Sequence, residues 1–181
     1  MTTPLIDFDS LRYTAPIVRE ILAGYRLPVQ GIHGVGHWGR VLENGWHLAA
    51  ETGANLDVVV LFALFHDARR VNEDCDEGHG QRGADLARQS RASLPSQLEA
   101  DFDLLTEACR LHTDGLVDGD VTVQTCWDAD RLDLGRVGIM PSFDRLCTAA
   151  ARRLRNWAHP RAVSRAAPTF VNELWMPSRP D

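Results

Sequence analysis

The run from Leu56 to Phe65 is apolar at every position except Asp57, and it is followed at once by His66-Asp67 and Arg69-Arg70. At helical spacing Val59, Phe62 and His66 share one face while Val58, Leu61 and Phe65 cover the next. A helix from Asn55 to about Arg70 is therefore apolar almost all round, and such a helix has to be enclosed by other elements. Asn55 or Asp57 can cap its first amides. An imidazole and a carboxylate side by side on a buried element are what a metal ion asks of a protein, although a lone His-Asp pair is a weak signal.

The remaining periodicity is helical as well. Pro16 to Gly24 reads as a short helix, and the stretch Gly31-Ile-His-Gly-Val-Gly as a loop leading into a helix on which His37, Val41, Gly45 and Leu48 recur, up to Thr52-Gly53. A polar loop from Asn72 to Gly80 carries His79 at the mouth of a helix from about Arg82 to Ala92. Pro95 opens an amphipathic helix with Leu98, Phe102, Leu105, Cys109 and His112 on one stripe. The piece Val121 to Trp127 leads into a helix that puts Trp127, Asp130, Leu134 and Val137 on one face, with Asp130 inward and Asp128 pointing elsewhere. Pro141 starts a helix through about Ala158 whose outer face is basic, and the proline-bearing remainder reads as extended cover with a short helix near Phe170 to Trp175. Strand signals are slight, so the class is all-α, in one domain: an N-terminal helix and lead-in (1–30), a helical bundle with a metal site in its core (31–158) and a C-terminal cover (159–181).

His37, His66 with Asp67, His112, and Asp130 each end or interrupt an apolar stripe. A single buried histidine is usually a satisfied core residue. Three buried His and two buried Asp would need many private hydrogen-bond partners, whereas one metal centre satisfies them together.

Composition narrows the chemistry. All 19 basic residues of the 181 are Arg, which excludes a lysine nucleophile, a Schiff base and a Walker-type lysine, so a phosphate must be met by Arg or by metal. The net charge of −6 speaks against a nucleic-acid polymer or a membrane surface as partner. The four cysteines are scattered without a CxxC pair and read as reduced packing residues. With no signal peptide and no apolar run near the roughly 20 residues that span a bilayer, the expected compartment is the cytoplasm.

The order His37-Trp-Gly-Arg-Val, His66-Asp67 and Asp128-Ala-Asp130-Arg-Leu-Asp resembles the HD superfamily of metal-dependent phosphohydrolases, over about residues 31 to 137. The resemblance implies an all-α HD-type bundle and a metal held by His37, His66, Asp67 and Asp130, with Asp128 as rival for the last place. In branches of that family with two metals, two further His stand between the pair and the final Asp. His79 and His112 occupy that interval, and Glu77-Gly-His-Gly-Gln-Arg-Gly-Ala is similar to the corresponding stretch. HD nucleotidases carry a Glu soon after the pair, where this chain has Arg70.

The expected activity is thus hydrolysis of a phosphomonoester or phosphodiester, nucleotide-like or another small phosphorylated substrate, by a metal-activated water. Asp67 bridges the metals, and Arg70 and Arg40 offset phosphoryl charge. One or two divalent ions are expected, with Mn, Fe, Co or Zn favoured over Mg by the histidines. Two alternatives stand beside this: a two-iron oxygenase on the same fold, and a non-catalytic metal-dependent binding module. His33 in the glycine-rich loop either reaches the pocket or faces solvent, the Arg-rich segment from Arg145 to Arg165 is a solvated face or the contact of a homo-oligomer in preference to an attractor of anionic substrate, and His47 and His159 look ordinary.

Overall fold

Asn55 starts the central helix, its side-chain oxygen accepting from the amides of Asp57 at 2.9 Å and Val58 at 3.4 Å. Every residue from Val58 to Phe65 is buried, as the all-round apolar run requires. In the computed structural model, which describes residue 6 and residues 9–176, this helix (α3, Leu56–Phe65) touches α2 (Val35–Thr52), α4 (His79–Ser90), α5 (Phe102–Leu111) and α6 (Val121–Arg131). Helices α1 (Thr14–Ala23) and α7 (Ala149–Ser164) lie outside this set, α7 against α2 and α6. The class is all-α, and no strand occurs among the described residues. No helix among them is long and apolar enough to cross a membrane.

Local chemistry sets the ends of the other helices. The Asp120 carboxylate accepts from Thr122 N at 2.7 Å to open α6, and Thr148 Oγ1 accepts from Ala151 N at 3.1 Å to open α7. Helix α2 stops at Gly53, whose φ of 74° is the left-handed conformation that glycine tolerates best.

Several boundaries differ from the sequence expectation. The central helix ends at Phe65 rather than Arg70, and residues 66–69 form a turn. Helix α4 begins three residues earlier than expected, at His79 itself. Pro95 opens a 3-10 segment, Ser96–Asp101, and the α-helix proper starts at Phe102. Helix α6 stops at Arg131, so Leu134 and Val137 belong to a separate 3-10 turn and Val137 is exposed. The expected helix from Pro141 is a 3-10 turn, Phe143–Arg145, followed by α7, which continues through Pro160 to Ser164. A proline inside a helix forfeits one backbone bond, and here the chain accepts that loss while Ala158 and Ala162 stay buried.

Helix α4 packs unusually close to its neighbours. A Cβ on Gly80 would lie 2.6 Å from the Cys109 carbonyl oxygen, and one on Gly83 would lie 2.4 Å from that of Phe65. Only glycine permits this approach, which brings the start of α4 against the ends of α3 and α5.

Candidate metal centre

The metal-competent residues all come from helix ends at one end of the bundle. His37 is in the first turn of α2, His79 is the first residue of α4, His66 and Asp67 follow the last turn of α3, His112 follows α5, and Asp130 is in the last turn of α6. All six are buried. Carbonyls of the last turns of α3 and α5 hold two of the rings, that of Phe62 while also accepting from His66 N at 3.0 Å. His66 Nδ1 donates to Phe62 O at 3.1 Å and His112 Nδ1 donates to Cys109 O at 2.7 Å. His79 Nδ1 donates to the loop carbonyl of Asp76 at 2.6 Å, and His37 Nδ1 to the Asp133 carboxylate at 2.7 Å.

With its proton on Nδ1, each of the four imidazoles presents an Nε2 lone pair to the interior. These lone pairs meet in twos: His37 Nε2 is 3.0 Å from His66 Nε2, and His79 Nε2 is 3.0 Å from His112 Nε2. Two acceptors so close repel unless they share a cation, and nitrogens each about 2.1 Å from one ion are about 3.0 Å apart across an octahedral edge.

Asp67 stands between the two pairs. Its Oδ2 is 3.5 Å from His37 Nε2 and 3.7 Å from His66 Nε2, while its Oδ1 is 3.2 Å from His79 Nε2 and 3.6 Å from His112 Nε2. The groups His37, His66, Asp67 and Asp67, His79, His112 could each hold a metal ion. Asp130 joins the first, its Oδ1 lying 3.5 Å from His37 Nε2 and 3.8 Å from His66 Nε2. Neither Asp67 Oδ1 nor Asp130 Oδ1 has a hydrogen-bond donor among the described residues. Buried carboxylate oxygens without donors beside outward-pointing lone pairs are a donor set that fits a divalent cation.

Charge states agree with this in part: the Asp67 carboxylate raises His112 against the effect of burial, a role that a cation would take over. Burial pushes His66 down to about 3, leaving it neutral. Burial alone would raise Asp67, but the imidazoles around it, His66 foremost, hold its carboxyl well below the usual carboxylate range. Asp130 is likewise lowered against burial, first by the Arg136 guanidinium and then by the histidines.

Asp128 does not reach the cluster. Its oxygens accept from Cys147 N at 2.7 Å and from Thr148 N and Oγ1, both at 2.8 Å, which fastens the start of α7 to α6. Burial raises its pKa, and those bonds offset part of the rise.

The arginines divide differently from expectation. Arg40 is engaged elsewhere: Nε and Nη2 donate to Asp133 at 2.7 and 3.0 Å and Nη1 to Arg165 O at 3.0 Å, so it braces the carboxylate behind His37 and does not line the cavity at the cluster. Arg70 is at the cluster, with Nη1 3.5 Å from Asp67 Oδ1 and 3.1 Å from His79 Nε2. The sequence reading missed Arg136. Its Nη1 is 3.6 Å from Asp130 Oδ1, and its buried Nε and Nη1 have no hydrogen-bond partner among the described residues. Arg70 and Arg136 line a cavity of about 270 Å³ together with Asp67, His79, His112 and Asp130. Arg136 sits in the 3-10 turn Leu134–Val137, and its spacing from Asp130 matches no regular helical repeat, so only its proximity in sequence pointed to it.

His33 is buried, with Nδ1 2.5 Å from Glu73 Oε2 and its ring centroid 6.1 Å from that of His37, so of the two expectations it meets neither a solvent-facing role nor the cavity. His47 packs edge-on against Trp157 and has no part in the cluster. Compared with family models, with curated proteins and with solved structures, the chain matches none.

Proposed function

We propose that the chain is a metal-dependent phosphohydrolase of the HD type, acting on a small phosphorylated substrate. The observation that carries this reading is the Asp67 carboxylate shared between two imidazole pairs, with two guanidinium groups on the wall of the same cavity. A cation at each pair beside two arginines suits a group that brings several negative oxygens and gains more charge as its bond breaks. The absence of lysine is no obstacle, because arginine meets phosphoryl oxygens in a bidentate fork.

A divalent cation bound by these donors supplies Lewis-acid polarisation of a phosphoryl oxygen and a lowered pKa for the attacking water. Four imidazoles favour Mn, Fe, Co or Zn over Mg, and the two groups make room for one or two ions. The chain's own residues do the rest. Asp67 offers one oxygen to each group and fixes their separation. The Nε and Nη1 of Arg136, which lack hydrogen-bond partners among the described residues, are donors for phosphoryl oxygens, and Arg70 Nη1 is a second source of positive charge. Burial of the cluster excludes bulk water and strengthens each of these interactions. Arg40 acts at one remove, through Asp133 on the orientation of His37.

Elemental analysis of protein purified without added metal, followed by assay for phosphate release on a panel of nucleotides and phosphomonoesters, tests the reading. The wild type is expected to carry one or two ions per chain and to turn over, and Asp67→Ala to lose both metal and activity. Stoichiometric metal retained in the variant contradicts the site, and metal without phosphate release contradicts the reaction. The four-histidine donor set also suits a two-iron oxygenase. Mixed-valence iron by electron paramagnetic resonance, together with oxygen consumption, would favour that second reading.

A further inference from the structure

Arg70 is part of the wall of a second cavity, of about 370 Å³, which lies between the end of α1, the turn after α3 and helix α4. Arg26, Arg69 and Arg82 line it as well, and Asp85 is the one carboxylate that does so. Four guanidinium groups around one hollow repel each other unless anions answer them. Arg82 has its answer, donating to Asp76 Oδ1 at 2.5 Å, to Arg69 O at 2.9 Å and to Glu77 O at 3.1 Å. Arg69 uses only Nη1, on the carbonyls of Ile21 and Ala68; its Nε and Nη2 make no hydrogen bond among the described residues, and Glu20 acts on it through charge without a hydrogen bond. Arg26 is exposed and makes neither a hydrogen bond nor an ion pair among them. Asp85 Oδ1 is already engaged by Gln81 and Arg88.

We infer that this cavity binds a dianionic phosphoryl group, with Arg26 and the free edge of Arg69 as donors and with Arg82 and Arg70 adding charge. Neighbouring guanidinium edges without acceptors match the spread oxygens of a phosphate better than a single carboxylate. The site is distinct from the metal centre: none of the His and Asp donors lines it. It does not depend on the proposed hydrolysis and would stand if that reading failed. Arg70, common to both walls, makes the two neighbours.

Calorimetric titration of protein freed of metal on a chelating resin, with inorganic phosphate, pyrophosphate and adenosine 5′-monophosphate as probes, tests the inference. One equivalent is expected to bind. Arg26→Gln should weaken it about tenfold, in line with one charge-assisted contact, and Arg26→Glu more, whereas Arg136→Gln in the other cavity should leave it unchanged. The exposure of Arg26 makes both of its variants safe for folding, which melting curves check. Equal binding of inorganic and organic probes makes free anion the occupant, and tighter binding of the nucleotide makes it a phosphomonoester; either supports the site. No binding at millimolar concentration, or binding abolished by Arg136→Gln and untouched at Arg26, overturns it.

Discussion

Asp133 accepts from His37 Nδ1 at 2.7 Å and from Arg40 at 2.7 and 3.0 Å, so the imidazole is fixed in both tautomer and rotation. Removing the charge while keeping the shape, Asp133→Asn, is expected to weaken metal binding about 10- to 100-fold without dispersing the donors, as measured by competition with a coloured chelator. Most of the donors were legible because they sat on apolar stripes with helical spacing, whereas His79, at the mouth of a helix, came only from the family resemblance. His37 opened such a stripe, His66 and His112 ended theirs, and the phase from Trp127 chose Asp130 over Asp128. Arg136 and the engagement of Arg40 were not legible. The first lies beyond the end of α6, where periodicity stops carrying information, and the second depends on an acceptor 93 residues away.

At the scale of elements, the glycines of α4 turn a sequence pattern into a distance. Gly83 approaches the Phe65 carbonyl so closely that Gly83→Ala is expected to cost about 1–3 kcal/mol and to shift the melting temperature down by several degrees, read by thermal denaturation. The loop before α4 has its own anchor. Asp76 accepts from Val71 N at 2.7 Å and from Arg82 at 2.5 Å, and although burial works against ionisation these bonds hold its carboxyl below the usual range. A carboxyl lowered in the folded state stabilises above its unfolded pKa of about 3.9 and loses that contribution as pH falls through the folded value. Asp76→Asn should therefore cost about 2 kcal/mol at pH 7 and much less near pH 2, measured by urea denaturation at both. Helix identity was readable because the apolar patterns are long, while ends were not: Pro95 opens a 3-10 segment, Pro141 lies two residues ahead of another, and Pro160 lies within α7, where local rules for proline point the other way.

For the whole molecule, the donors converge from five helices, so a bound ion ties α2 to α6 at one end of the bundle. An ion that binds the folded chain alone stabilises it by mass action, about 2.7 kcal/mol at a hundredfold excess over its dissociation constant. The melting temperature of metal-stripped protein is expected to rise with added Mn and to fall back with chelator. A melting curve indifferent to every divalent ion would contradict the assignment. Because one carboxylate faces both donor groups, an ion in one would alter the affinity of the other. Asp67, once its charge is shared with one ion, would be a poorer partner for a second, so two ions would load in steps of unequal strength. If both groups take an ion, preparations differing only in how they were dialysed would differ in kind, with one or two ions bound.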